Sequence, residues 1–160
     1  MKNSGYYRVN YDLRNWQLIT QQLMTNHSVI SVINRAQVID DAFNLAEAGQ
    51  LDYDTALNLT RYLEHETDYI PWESVLTGME YISSMMSRTS GYGLFKKHMR
   101  TILTPLYNRV GFEHKKGEDH LTTKLRVKAV AWACSMGNKD CITRSVNSYA
   151  KWMADPENIQ

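Results

Sequence analysis

Two cysteines, three prolines and a formal net charge of +1 are all that a chain of 160 residues offers on these three counts, and each shortage excludes something. A near balance of charge removes the electrostatic reason to propose nucleic acid as a partner, because phosphate backbones are held by an excess of Lys and Arg. The pairs Lys96-Lys97 and Lys115-Lys116 are short and read as solvated faces. No apolar run approaches the ~18 residues of a membrane span, and no leader with a basic start and an apolar middle follows Met1. Met1-Lys2 therefore reads as a start placed on a fragment, or as a chain whose leader has gone.

Catalytic signatures are equally scarce. There is no Gly-x-Ser-x-Gly and no phosphate-binding Gly-rich loop after a strand. His65-Glu66-Thr67-Asp68-Tyr69 begins like the zinc motif H-E-x-x-H. Its second ligand position holds Tyr69, so one imidazole stands where helical metal binding needs a pair at i and i+4. The segment reads instead as a polar helix end before Pro71. In Gly78-Met79-Glu80, Met79 falls on a core face and Glu80 on a surface. His27, His98, His114 and His120 are scattered, and although His114 and His120 could meet, no carboxylate or thiol is placed to complete a site with them. Asp40 and Asp41 are adjacent, so on a helix their carboxylates diverge by about 100° and do not converge on one substrate atom.

What the chain does have is helical periodicity. Apolar residues at 43% beside 22% charged are the proportions of an ordinary globular domain able to bury its own core. The organising stretch is Asn34 to Gly49, NRAQVIDDAFNLAEAG, the centre of a long apolar helix. From Val29, the positions Val32/Ile33, Ala36, Ile39, Phe43 and Ala46 define one face, and Val38, Ala42 and Leu45 widen it, which predicts burial on most sides. Ser28 is the expected N-cap and Gly49 the expected stop. Arg35, Asp40 and Asp41 lie inside this helix and require partners, since an uncompensated buried charge costs several kcal/mol. Structural ion pairing of Asp40 or Asp41 with Arg8 or Arg35 is the expectation.

The other elements follow in order. Gly5 to Asp12, GYYRVNYD, alternates like a strand and has no partner strand elsewhere. It must be the edge of something missing, or an extended arm. Asp12 caps a helix to about Met24 carrying Trp16, Ile19 and Leu23. Asp52 opens a helix from Tyr53 to Glu64, and Pro71 sits in the first turn of one that runs to about Ser87. A helix over Tyr92 to Val110 contains Pro105, which should kink or split it near Leu103. The polar loop Gly111 to Asp119 leads to a last helical pair ended by Asp155-Pro156. Successive helices joined by short turns predict an all-α, right-handed α-hairpin stack of the HEAT/armadillo type, about seven helices with a short N-terminal extended strand.

Cys134 and Cys141 bracket SMGNKD, where Gly137-Asn138 marks a turn. Two readings stand. A disulfide across the hairpin would stabilise by roughly 2 to 3 kcal/mol and imply the secretory route, and two buried free thiols would imply the cytosol. Asn26-His27-Ser28 and Asn58-Leu59-Thr60 are N-glycosylation triplets, which lean toward the first, although Asn58 falls in a helix.

GYYRVNYD with the Trp-bearing helix after it, then NRAQVIDDAFNLAEAG, then LDYDTALNLTRYLEHETDYIPW resemble the C-terminal helical (ERAP-like, HEAT-like) region of the gluzincin zinc aminopeptidases, most closely the aminopeptidase N branch of animal cell surfaces. The resemblance continues through YISSM and the Phe95 to Tyr107 helix, and the CSMGNKDC loop looks like a disulfide of that branch. It implies a fragment in which residues 1–11 are the terminal strand and exit of a missing β-sandwich, and residues 12–160 the first part of the helical domain. In such enzymes zinc and the G-x-M-E-N exopeptidase motif belong to an earlier catalytic domain. The resemblance therefore implies no cofactor, metal ligand or catalytic residue in this chain, with zinc in the parent. It further implies that the helical domain covers and shapes the peptide chamber, that the sandwich and catalytic domains and peptides are the partners, that the parent can be a homodimer, and that it is secreted or stands on the extracellular face of the plasma membrane. The alternative is a free-standing helical-repeat module that binds a partner protein.

Overall fold

The computed structural model describes residues 7–157, and these contain seven α-helices and no strand. They are α1 (Leu13–Asn26), α2 (Val32–Glu47), α3 (Tyr53–Leu59), α4 (Tyr69–Met86), α5 (Tyr92–Val110), α6 (His120–Ser135) and α7 (Lys139–Ala154), with 3-10 turns at His27–Val29 and Thr60–Glu64. The chain divides into two compact units, Met1–Tyr92 and Gly93–Gln160.

In the first unit α2 packs against α3 and α4, and α1 against α3. The helix that the periodicity placed at the centre is there, burying Ala36, Ile39, Ala42, Phe43, Leu45 and Ala46. It starts later than expected. Ser31, not Ser28, is its cap, its hydroxyl accepting from the Asn34 N–H at 3.4 Å. Ser28 belongs to a separate turn because the Asn26 side chain captures its N–H at 3.1 Å. Ile33, placed on the apolar face by spacing, is exposed. Gly49 does end the region, with a φ of +70° that glycine adopts without a Cβ penalty.

The α2/α4 contact depends on a missing side chain. A Cβ added to Gly78 would sit 2.5 Å from Cγ of Phe43, so glycine is what lets the two helices approach this closely. Trp16, Ile39, Leu63, Trp72, Val75 and Met79 are fully buried in this unit, and each such side chain contributes about 1.5 to 3 kcal/mol of transfer free energy. The expected single helix from Tyr53 to Glu64 is instead α3 followed by a tighter 3-10 turn.

In the second unit α5 runs unbroken through Pro105, so the expected split near Leu103 does not occur. Hydroxyls of Thr101 and Thr104 donate to the carbonyls of Lys97 and Arg100 around that position. Phe95, Met99, Ile102, Leu103, Leu106, Tyr107 and Val110 are its buried positions. α6 and α7 form a hairpin capped by Asn138, whose side chain accepts from the Cys141 N–H at 3.1 Å.

Candidate functional site: charged clusters and the disulfide hairpin

The residues able to carry chemistry sort into three clusters, two on α2 and one in the second unit. At the first, Arg8 Nη1 donates to Asp40 Oδ2 at 2.5 Å and lies 3.5 Å from Asp41 Oδ1. The backbone N–H of Val9 donates to Asp41 Oδ2 at 3.2 Å, and the Asn10 amide donates to the Gln50 carbonyl at 3.2 Å. Tyr11 meets the buried Trp16 edge to face at 5.1 Å, and the Trp16 indole donates to Asn10. Residues 7–12 therefore lie along the helices and are held by side chains, with no ladder pairing. Gly5 and Tyr6, the start of the expected strand, lie outside the described residues. The Asp40 hydrogen bond is what raises the Arg8 guanidinium above its usual value, against the cost of desolvation.

At the second cluster Arg35 turns away from both aspartates. Its Nε and Nη2 donate to the two oxygens of Glu66 at 2.7 and 3.1 Å, and Nη2 also donates to Asp68 at 2.8 Å. Nη1 donates to the Ile30 carbonyl at 2.7 Å. Glu66 is completely buried. It accepts further from the Tyr62 hydroxyl and from the N–H groups of Thr67 and Asp68, and its own carbonyl takes the Trp72 indole N–H. Burial pushes the Glu66 carboxyl up, but the Arg35 and backbone donors outweigh it, so the net displacement is below the ordinary carboxylate value. Burial, and then Glu66, drive the Tyr62 phenol well above its ordinary range.

This cluster was missed in the sequence, where His65 to Tyr69 read as a polar helix end. The signal that could have found it is Arg35 itself, a cation on an apolar face that demands an acid from another element. The same geometry answers the near-zinc motif. Tyr69 stands in place of the second imidazole ligand, and Glu66, the position of the motif's general base, is committed to Arg35, Tyr62 and two backbone N–H groups, so these residues do not fit the zinc motif. Among the described residues no group of three or more His, Cys, Asp or Glu side chains is placed to hold a metal. His114 lies 3.9 Å from Glu118 and is not brought into a cluster with His120.

The third cluster clips the end of α5. Buried Arg126 on α6 donates from Nε and Nη2 to the Val110 carbonyl at 2.9 and 2.7 Å, and forms a bidentate pair with Glu118. One guanidinium thus satisfies a helix-terminal carbonyl and closes the polar loop. The Arg126 hydrogen bonds hold the Glu118 carboxyl below its ordinary value. Near it, Cys134 and Cys141 are bonded to each other, with Cα atoms 5.2 Å apart. They pack with Tyr107, whose hydroxyl donates to Asp140 at 2.7 Å. Burial and that bond push the Tyr107 phenol up to about 12.

Of the two glycosylation triplets, Asn26 is exposed as the last residue of α1, its side-chain oxygen accepting from the Ser28 N–H and hydroxyl. Asn58 is half-buried on α3, its amide donating to Asp54, and the Thr60 hydroxyl of the same triplet is buried against the Leu57 carbonyl.

Comparison with known proteins accords with this architecture. The family model described as ERAP1-like C-terminal domain matches residues 1–160. Aminopeptidase N of Plutella xylostella is 43% identical over 142 residues, covering 89% of this chain and 15% of the relative. Aminopeptidase N of Rattus norvegicus and that of Homo sapiens are each 40% identical over 159 residues, covering 97% of this chain and 16% of the relative. The chain thus spans about a sixth of the length of these relatives, and it belongs to the ERAP1-like C-terminal domain family, the helical C-terminal domain of aminopeptidase N-type enzymes.

Proposed function

We propose that this chain is a non-catalytic part of a zinc metalloaminopeptidase that stands at the cell surface or is secreted, and that its helices cover and shape the chamber in which peptides lose their N-terminal residues. The observation that carries this reading is the family match over the whole chain combined with its small share of each relative. The zinc and the exopeptidase machinery belong, on this reading, to the remainder of the parent, which is also the partner of this chain. Residues 1–11 are the exit from the parent's sandwich domain, and residues 12–160 open its helical domain. The paired cysteines support an oxidising compartment. No helix among the described residues is long and apolar enough to cross a membrane.

The reading is tested in two arms. The purified chain with added zinc should leave aminoacyl reporter substrates intact, and chelator-sensitive turnover would overturn the non-catalytic assignment. Exchanging these residues into a related aminopeptidase N should preserve reporter hydrolysis while shifting the preference among peptides of different length. An unchanged length preference would remove the chamber role.

A further inference from the structure

The C-terminal ends of α2 and α4 and the first turns of α3 enclose an open cleft of about 390 Å³, within the range that accepts small organic molecules. Its walls are apolar, formed by Leu57, Ile82 and the thioethers of Met85 and Met86. The rings of Tyr53 and Tyr81 complete the lining, and Glu47 is the charged group in it. Glu47 forms no ion pair among the described residues, unlike the acids of the three clusters above. It is also the last residue of α2, as Met86 is of α4, so the negative ends of two helix dipoles flank the mouth.

We propose that this cleft binds a small hydrophobic ammonium ion, a primary amine carrying an aryl or branched alkyl body. An anionic ligand would meet Glu47 and both helix ends at the same sign. A purely apolar ligand would displace water from the carboxylate and give it nothing in return. An ammonium group satisfies the carboxylate, and the two tyrosines that line the cleft beside it carry quadrupoles that favour cations. Its apolar body then meets methionine side chains, which adapt to irregular shapes. The field of Glu47 reaches into the cleft: the Tyr53 hydroxyl is raised above its ordinary value by burial first, then by Tyr81 and Glu47. This inference does not rest on the chamber role.

The test uses the full chain and three probes of similar shape, 2-phenylethylammonium, neutral 2-phenylethanol and anionic 3-phenylpropionate, read by NMR of the methionine methyls. The ammonium should give saturable shifts at Met85 and Met86, the alcohol should bind about tenfold more weakly, and the acid should not bind. Glu47→Gln, at an exposed position, should keep the wild-type circular dichroism and bring the ammonium down to the level of the alcohol. Equal binding of ammonium and alcohol, an unchanged affinity in Glu47→Gln, shifts confined to other residues or no saturable shift would each overturn the assignment.

Discussion

Helices α2 and α7 have the same length, 16 residues, and both carry apolar side chains at three- and four-residue steps, yet they end in opposite environments. α2 buries eight residues, including a cation and an anion, whereas α7 buries Cys141 alone. Val146 and Tyr149 on α7 are each about 60% exposed. Periodicity reports which side of a helix is apolar. What covers that side is decided by neighbours, and α2 has both α3 and α4 along it, where α7 has α6 and meets α5 near its start, through Asp140 and Cys141. The charges differ in the same way. Arg35 meets a fully buried acid, Glu66, whereas Arg144 on α7 pairs with Asp140 one turn back and with Glu113, all three well exposed.

The sharpest way to break this contrast is to remove the buried cation. Arg35→Ala leaves Glu66 charged in the interior and should lower unfolding stability by about 3 to 5 kcal/mol, measured by chemical denaturation. Arg35→Ala with Glu66→Gln should recover part of that loss, because the second change removes the stranded charge. The sign of the pH dependence follows from the same pair. The folded Glu66 carboxyl lies below its ordinary value of 4.5, so its stabilising contribution is complete above 4.5 and is lost as pH falls through the folded value. Denaturation midpoints should therefore drop on acidification below that point, with a shallower slope in Glu66→Gln.

Reducing the Cys134–Cys141 bond, or replacing both residues with serine, should cost roughly 2 to 3 kcal/mol, with the loss appearing in probes on α6 and α7. Gly78→Ala drives a methyl into Phe43 and should cost about 1 to 3 kcal/mol, and a smaller side chain at Phe43 should relieve part of it. At the far end of the scale, Val146→Lys on α7 should change stability by less than about 0.5 kcal/mol. A loss as large as that of Gly78→Ala would show that the α7 face is covered after all.

Fold class was legible because helix-forming periods persist across nearly the whole chain, and a 3.6-residue period survives small errors in its ends. Boundaries were less legible, and each for a local reason. Ser28 and Ser31 are both cap residues, and the choice between them was made by the Asn26 side chain seizing the Ser28 N–H. Thr60 to Glu64 tightened into a 3-10 turn, which sets Tyr62 and Glu66 so that phenol and carboxylate meet at 3.1 Å. No spacing rule announces that a glutamate beside a histidine is buried. The need was visible at Arg35, but the partner required three dimensions. Asp41 is a mixed case: of the Arg8, Val9 N–H and Gln37 amide that it takes at once, Arg8 alone was among the partners expected from the sequence.

Because Arg126 fastens the Val110 carbonyl on one side and Glu118 on the other, the stretch between them is anchored at both ends whatever its length. The exposed residues 113–117, beyond Phe112 packed on the disulfide cluster, are thus the place where a peptide tag or a reporter can be inserted with α5 and α6 kept in register. Lysine at 126 would not serve, since a single ammonium cannot grip both anchors in the planar geometry that a guanidinium provides.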